Sequence, residues 1–310
     1  MSAPSAQLSV NAPAIQWYPG HIAKAEKALQ EALAKVDLVI EVRDARIPLS
    51  TGHPRLQRWI SGKQHLLVLN RRDMVPPAAQ QLWSDWFRGQ GQPVWWCDAK
   101  AGTGVKQLQQ AAIRAGEALN ERRRGRGMRP RPVRALMLGF PNVGKSALIN
   151  RLVRQKVVES ARRAGVTRSL RWVRLGQELD LLDAPGVLPP RLDDQQAALR
   201  LALCDDIGQA AYDSEGAALA FAQLLRLLEA VPAAGVAAGL LEGRYRIPLG
   251  ALPSGGPDVE GWLAAAAERH TGGDTLRMAT KLLDDFRCSR LGPIALELPP
   301  QPSLPASPLP

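Results

Sequence analysis

The chain has 310 residues, 45% of them hydrophobic, and a formal net charge of +11 at pH 7. This length allows two domains with buried cores, and no apolar run approaches the roughly 20 residues of a membrane span, so the sequence indicates a soluble globular protein. Three widely separated cysteines, Cys97, Cys204 and Cys288, fit neither a disulfide framework nor zinc-ligand spacing, and they predict a reducing, cytoplasmic location.

The positive charge is concentrated in the first part of the sequence. Residues 1–174 contain 30 Lys and Arg against 11 Asp and Glu, whereas residues 175–310 contain 10 against 18. The densest basic segments are 122–134 and 151–174. A solvated linker explains the first segment alone, while an RNA-facing surface explains both segments together.

The N-terminal region predicts a leader and then a helix. Residues 1–14 are rich in Ser, Ala and Pro without a basic start or an apolar core, which predicts a disordered leader and neither a signal nor a transit peptide. Two aromatic residues and a Pro-Gly turn precede a pattern in which apolar residues share one helical face. His21 begins this helix, where a lone His is more often a surface or capping residue than a catalytic one.

A first buried strand is predicted for residues 37–42. It runs into a short polar segment that contains Asp44 and Arg46. Residues at the carboxyl ends of parallel strands line ligand crevices in open α/β sheets. An ordinary salt bridge between strand and loop explains the two charges equally well.

A second strand, residues 65–69, leads into Asn70 and Asp73. An Asn and an Asp at this spacing can meet a guanine base, because the carboxylate of Asp73 accepts from the N1 and N2 hydrogens of guanine. Asn70 then braces the loop and reaches the purine edge. The same spacing is also common in ordinary loops.

A third strand, residues 93–97, is followed by Asp98 and Ala99. The backbone N–H groups of this loop are in a position to contact the base oxygen, and a plain strand-to-helix turn is the alternative. A helix then ends near Leu119, and an Arg-rich segment with Gly and Pro follows as a linker.

The strongest single motif is a glycine-rich turn between an apolar run, residues 135–138, and a helical pattern that starts at Ala147. Strand, glycine turn and helix in this order form a phosphate cradle of backbone N–H groups. Gly144 lets the backbone curl round phosphate oxygens, Lys145 neutralises the β- and γ-phosphates, and Ser146 offers a hydroxyl to Mg²⁺. The motif predicts binding of a nucleoside triphosphate.

The following segment supplies further candidate ligands. Residues 157–166 have little apolar periodicity and end at Thr167, which suits a sensor of the γ-phosphate and Mg²⁺. Two strands, residues 170–175 and 178–182, then predict a hairpin. The second strand ends at Asp183, an acidic residue for the Mg²⁺ shell, and Gly186, whose amide suits the γ-phosphate.

The remaining sequence predicts a small helical domain. Helical patterns cover residues 199–207, 217–228, 259–268 and 275–284. Residues 299–310 form a Pro-rich tail without a core pattern.

Six segments taken together carry a family resemblance: residues 16–25 (QWYPGHIAKA), 44–48 (DARIP), 70–73 (NRRD), 139–146 (GFPNVGKS), 165–167 (GVT) and 183–186 (DAPG). In this order they resemble the YlqF (RbgA) family, the circularly permuted GTPases of ribosome biogenesis. The order is the specific part, because the guanine-reading elements precede the phosphate cradle.

The resemblance implies an α/β fold. We expect a circularly permuted P-loop GTPase domain with a mostly parallel, doubly wound sheet, followed by a small α-helical C-terminal domain. The expected divisions are a leader (1–14), a GTPase domain (15–197) with a guanine-reading half (15–118), an Arg-rich linker (119–134) and a phosphate-binding half (135–197), a helical domain (198–298) and a tail (299–310). Such a permutation leaves the packed strands unchanged, because termini lie at the surface and often close together. We expect a monomer.

The resemblance also implies a set of site residues. The nucleotide would be bound by Asn70, Arg71, Asp73, Asp98, Ala99, Asn142, Val143, Gly144, Lys145, Ser146, Ala147, Thr167 and Gly186. Mg²⁺ would be bound by Ser146, Thr167 and Asp183. The catalytic groups would be His21, Lys145, Thr167 and Gly186. Asn142 resembles the Asn of potassium-activated GTPases, which adds K⁺ as a cofactor besides GTP or GDP and Mg²⁺.

The chain departs from common GTPase patterns at three positions. Val187 stands where ordinary GTPases have the Gln that orients the attacking water, and an apolar side chain cannot do this. The resemblance implies that His21 supplies the function instead. Arg71 replaces the usual Lys, whose stem packs on the base; a guanidinium can also stack there, so guanine preference is retained. Ala164 replaces the usual Pro before residues 165–167.

The sequence therefore predicts a GTPase that binds the maturing large ribosomal subunit and its rRNA and couples GTP hydrolysis to assembly. Residues 287–293 resemble the family's basic C-terminal turn, which implies RNA contact. The helical domain is net acidic, however, and Arg277 and Lys281 at i, i+4 fit a solvated face, so the absence of RNA contact by this domain is an equally good interpretation. A guanine-nucleotide-dependent RNA-binding scaffold with incidental hydrolysis is the alternative function. ATP specificity is a less favoured alternative.

Overall fold

The computed structural model describes residues 15, 29–154, 171–184, 186, 194–251 and 256–300. His21, Thr167, Ala164 and Val187 lie outside these residues, as do the predicted leader and most of the Pro-rich tail.

The described part contains a central six-stranded sheet. The strands are β1 (Leu38–Asp44), β2 (Gln64–Asn70), β3 (Val94–Cys97), β4 (Val133–Gly139), β5 (Arg171–Leu175) and β6 (Leu179–Asp183). Their spatial order is β3-β2-β1-β4-β6-β5, and every neighbouring pair is parallel except β5 and β6. The predicted α/β class with a mostly parallel sheet and a β5–β6 hairpin is confirmed.

The sheet order shows how the permuted chain builds one layer. The chain moves outward from β1 to β2 and β3, then returns to the centre and places β4 beside β1. In the β1–β4 register Val42 pairs with Gly139. The first and second parts of the chain therefore meet at the strand end where the phosphate cradle begins.

Ten helices surround or follow the sheet in the described residues. The helices are α1 (residues 29–33), α2 (Leu56–Trp59), α3 (Pro77–Gly89), α4 (Val105–Arg124), α5 (Lys145–Val153), α6 (Gln195–Leu203), α7 (Ser214–Leu228), α8 (Leu240–Tyr245), α9 (Val259–Thr271) and α10 (Thr275–Arg287). None of these helices is both long enough and apolar enough to cross a bilayer.

Alternating strand residues divide the core between the two faces of the sheet. Ile40, Val68 and Met137 belong to one buried cluster that continues into the C-terminal helices. Val39 and Leu138 point the other way and pack with α1 and α2. Both faces of the parallel strands are thus covered, as their nearly continuous apolar sequences require.

Two predicted helix boundaries were wrong. The helix expected to end near Leu119 continues to Arg124, because good helix formers occupy its last turns and their positive charges suit a helix C-terminus. The helix expected at residues 199–207 is displaced toward the N-terminus. Asp194 caps it by accepting from the backbone N–H groups of residues 196 and 197, and the left-handed backbone at Asp205 (φ 63°) follows its end at Leu203.

The C-terminal helices are joined to the sheet by the last described segment. The N–H of Leu296 donates to the carbonyl of Arg46 (3.0 Å), and the indole N–H of Trp83 donates to the carbonyl of Glu297 (3.2 Å). The buried Glu297 carboxylate accepts from the N–H of Leu49 (2.8 Å). These bonds hold the chain after α10 against the loops that follow β1.

Candidate nucleotide-binding site

The phosphate cradle joins the end of β4 to the start of α5. A Cβ at Gly139 would lie 2.2 Å from the carbonyl oxygen of Val42, and one at Gly144 would lie 2.2 Å from Nδ2 of Asn70. Gly144 also has a φ of +95°, in the left-handed region that favours glycine. Both glycines are therefore required by the close approach of the neighbouring strand and loop.

Lys145 lies inside the cradle. Its ammonium donates to the carbonyls of Phe140 (2.7 Å) and Gly139 (3.2 Å), and the side chain is buried. Burial lowers the pKa of Lys145 to about 8, although Asp183 and Asp206 oppose this shift. The protein alone therefore does not fully compensate the charged form of Lys145, and phosphate oxygens would do so.

Asp183 and Gly186 lie beside the cradle. Asp183 ends β6, next to β4, and its buried Oδ1 has no hydrogen-bond partner among the described residues. Burial raises the pKa of Asp183 to about 6, while Lys145 and Arg171 oppose the rise. A Cβ at Gly186 would come within 2.6 Å of the nitrogen of Pro141, so Gly186 lies directly against the phosphate loop.

Ser146 and Ala147 occupy the first turn of α5, with Lys145 as its first residue. The N-terminus of a helix favours negative charge, and this one follows the cradle directly. The predicted phosphate and Mg²⁺ ligands among the described residues are therefore grouped at one edge of the sheet. Thr167, the remaining predicted ligand, lies outside the described residues.

Asn70 connects the base-side loops to the cradle. Its Nδ2 donates to the carbonyl of Val143 in the cradle (2.8 Å), and its Oδ1 accepts from the N–H of Ala99 (3.1 Å). The side chain is buried. One amide therefore fixes the phosphate loop and the loop after β3 relative to the end of β2.

The side chain of Asp98 stabilises the loop after β3. The Asp98 carboxylate accepts from the N–H groups of Lys100 (2.8 Å) and Ala101 (3.0 Å). With the Ala99 N–H donated to Asn70, these three N–H groups are already bonded within the protein. The prediction that an amide of this loop contacts the base oxygen therefore requires a shared or exchanged hydrogen bond.

Arg71 and Asp73 lie on the base side of Asn70. Arg71 has a left-handed backbone (φ 65°), and its guanidinium donates to the carbonyl of Asn142 and pairs with Asp44 (3.0 Å). Asp73 is exposed, and partial burial together with the Asp98 carboxylate raises its pKa. The acid predicted to recognise guanine is thus accessible at the end of β2.

Asp44 and Arg46 form an internal ion pair. The Arg46 guanidinium makes two bonds to the Asp44 carboxylate (3.0 and 2.7 Å), and both side chains are fully buried. Of the two sequence-based explanations, the structure favours the salt bridge. Asp44 also pairs with Arg71, and neither member of the Asp44–Arg46 pair faces a ligand crevice.

Sequence reasoning missed the turn that follows α6. The Asn142 amide Nδ2 donates to the carbonyl of Asp205 (2.7 Å), and Asp206 is completely buried beside Arg71. No motif marks this turn, because its contacts lie more than 60 residues away in the sequence. It brings the C-terminal helices to the edge of the nucleotide site.

Known proteins resemble this chain in sequence and in structure. A sequence family described as "50S ribosome-binding GTPase" matches residues 134–222. The ribosome biogenesis GTPase A of Bacillus cereus is 41% identical over 188 residues, which cover 61% of this chain and 64% of that protein. The probable ribosome biogenesis GTPase A of Mycoplasma pneumoniae is 31% identical over 194 residues, which cover 62% of this chain and 68% of that protein.

The chain belongs to the ribosome biogenesis GTPase A family. The predicted family is thereby confirmed, although the alignment spans less than two thirds of the Bacillus cereus protein. A GDP-bound structure of YlqF from T. maritima superposes with a TM-score of 0.58 at 21% identity and covers 87% of this chain and 98% of that one. This structural similarity supports the fold described above.

The buried Asp183 predicts a pH-dependent stability. Its pKa is about 6 in the folded chain against an ordinary value of 3.8, so the folded state binds an extra proton between these pH values and loses stability as the pH rises through them. We expect Asp183→Asn to stabilise the protein by about 3 kcal/mol at pH 8, without nucleotide and with a chelator present. The gain should vanish below pH 4. Urea unfolding at both pH values measures it.

Asp180→Asn is the matched control, since Asp180 lies on the same strand and pairs with the exposed Arg174. This change should alter the unfolding free energy by less than about 0.5 kcal/mol at either pH. Equal effects of Asp183→Asn at pH 4 and pH 8 would contradict the assigned burial cost.

Proposed function

We propose that this protein is a GTP hydrolase that binds the maturing large ribosomal subunit and couples GTP binding and hydrolysis to assembly of that subunit. The observation that carries the proposal is the pair of Asn70 hydrogen bonds, which joins a phosphate cradle to two base-side loops. Membership in the ribosome biogenesis GTPase A family supports the same conclusion.

The phosphate half of the site would bind the triphosphate through the cradle N–H groups, Lys145 and the first turn of α5. Ser146 and Asp183 would hold Mg²⁺, together with Thr167. The buried Oδ1 of Asp183 fits this role, because no described residue gives it a hydrogen bond and an acidic oxygen in that position gains most from a cation. When bound, Mg²⁺ neutralises phosphate charge during transfer to water.

The base half would select guanine. Asp73 would accept from the N1 and N2 hydrogens of the base, and the Arg71 stem would pack on its face while the guanidinium stays on Asn142 and Asp44. Asn70 positions both loops. Adenine presents an acceptor at N1 and no N2 amine, so the same acid would reject it.

Hydrolysis would be slow without the partner. Val187 cannot orient water, and His21 would supply this function when the ribosomal partner orders the N-terminal segment. Asn142 would bind K⁺ in addition. We further propose that the protein acts as a monomer in the cytoplasm.

The rRNA would contact the basic half of the chain. Arg122, Arg123 and Arg124 form the last turn of α4, and the side chains of Arg122 and Arg124 are exposed. Clustered arginines on a helix end bind phosphate backbones through charge and release of counterions. Residues 1–174 contain 30 basic and 11 acidic residues, so the basic surface would extend beyond a single helix.

Base selectivity tests the guanine assignment. GDP should displace a fluorescent GDP analogue, and ADP should need a concentration at least about 100 times higher, because a base that cannot pair with Asp73 leaves a carboxylate unsatisfied. Asp73→Asn should remove most of this preference. Asp85→Asn, an exposed acid on α3, should leave it unchanged. Equal competition by GDP and ADP would contradict guanine specificity.

Partner-stimulated turnover tests the coupling. Purified large ribosomal subunits should raise the multiple-turnover GTPase rate about 100-fold, and His21→Ala should return the rate to near its unstimulated value with unchanged GDP affinity. A subunit-bound protein whose turnover does not rise would favour the RNA-binding scaffold. A wild-type stimulated rate in His21→Ala would remove His21 from the mechanism.

A further inference from the structure

The turn Cys204–Asp206 lies between the base-side and phosphate loops. The Cys204 carbonyl accepts from the guanidinium of Arg46 (3.1 Å) and, at longer range, from that of Arg71 (3.5 Å). The Asp205 carbonyl accepts from the amide of Asn142 (2.7 Å). Two backbone carbonyls of one turn therefore accept hydrogen bonds from Arg71, on the base side, and from Asn142, in the cradle.

The same turn is fixed to the C-terminal helices. Arg287, the last residue of α10, donates to the carbonyls of Ala202 (2.8 Å) and Leu203 (3.0 Å) at the end of α6. The Arg46 guanidinium also lies 5.1 Å from the ring of Phe286. A displacement of α10 would therefore move the turn with it.

Asp206 makes the docking of this turn costly. Its side chain is 0% exposed, neither carboxyl oxygen has a hydrogen-bond partner in the part of the chain that the structure describes, and the shortest distance to the Arg71 guanidinium is 4.0 Å. Burial, together with the nearby Asp44, raises the pKa of Asp206 well above its ordinary value. The hydrogen bonds of the Cys204 and Asp205 carbonyls favour the docked position of the turn. The buried Asp206 carboxyl disfavours it, because its loss of water is not offset by a hydrogen bond from a described residue.

We propose that the Cys204–Asp206 turn is a latch that holds Arg71 and Asn142 in their nucleotide-binding positions, so that nucleotide binding and docking of the C-terminal helices stabilise each other. This inference rests on the proposed guanine-nucleotide site. Coupling between two binding events is reciprocal: if the docked latch strengthens nucleotide binding, bound nucleotide must keep the latch docked.

Arg71 is the residue through which the coupling acts. Its guanidinium contacts the Asn142 carbonyl, Asp44 and the Cys204 carbonyl. The five N–H groups of a guanidinium allow it to serve all three acceptors, whereas a lysine ammonium is a more compact point charge with three donors. With its tip fixed, the stem is held ready to support a base.

Cys204 provides a built-in reporter of the latch. Its thiol is buried in the docked turn, Cys97 is buried in β3, and Cys288 is exposed. We expect saturating GDP to slow alkylation of Cys204 by N-ethylmaleimide about fivefold or more beyond any slowing of Cys97. Cys288 should react at the same rate with and without GDP. Peptide mass spectrometry resolves the three cysteines in the unmodified chain.

Arg71→Lys tests the link directly. The variant should bind GDP more weakly, because loss of the coupling must act in both directions, and at saturating GDP the extra protection of Cys204 should fall to the level of Cys97. Persistence of the full protection in Arg71→Lys would overturn the role of Arg71. Unchanged, faster or only globally slowed labelling of Cys204 in the wild-type protein would overturn the latch itself.

Binding of a fluorescent GDP analogue to the same sample separates the two proposals. Absence of binding would contradict the proposed nucleotide site, and the latch with it. Binding without specific protection of Cys204 would contradict the latch alone.

Discussion

The candidate nucleotide site depends on two hydrogen bonds made by one buried amide. Asn70 bonds to Val143 and to Ala99, and the first of these bonds joins residues 73 positions apart in the sequence. The contact is possible because Gly144 has no side chain where Asn70 approaches. It also requires β4 to pair with β1, so the permuted chain completes its site only when its two parts share one sheet.

The charged groups of the site are not fully compensated by the protein alone. Burial lowers the pKa of Lys145 to about 8 and raises that of Asp183 to about 6. Phosphate oxygens would compensate Lys145, and a cation would compensate Asp183. Such local instability is common at functional sites, where the ligand supplies the missing interactions.

Much of the fold was predictable because its signals are local. The apolar run before Gly139, the glycine turn and the helix after it form one continuous pattern, and the β5–β6 hairpin is also encoded by neighbouring residues. The displacement of α6 was not predictable from periodicity, since the Asp194 cap and the left-handed Asp205 decide it.

The site was predictable only in part. Asn70, Lys145 and Asp183 follow from their places at strand and loop ends, although their roles with nucleotide remain proposals. The salt bridge between Asp44 and Arg46 was one of the two explanations that the sequence offered. The bond from Asn142 to Asp205 could not be predicted, because it joins distant segments through a hydrogen bond that leaves no periodic pattern. His21 and Thr167 lie outside the described residues and remain predictions.

The most direct test of the account is the GDP affinity of Asn70→Ala, measured beside Gln81→Ala, which removes an exposed amide from α3. The account predicts that Asn70→Ala weakens GDP binding about tenfold to a hundredfold, because two buried backbone groups lose their partner and the loops lose their alignment. Gln81→Ala should bind GDP as the wild-type protein does. An Asn70→Ala protein that folds and binds GDP with unchanged affinity would contradict the account.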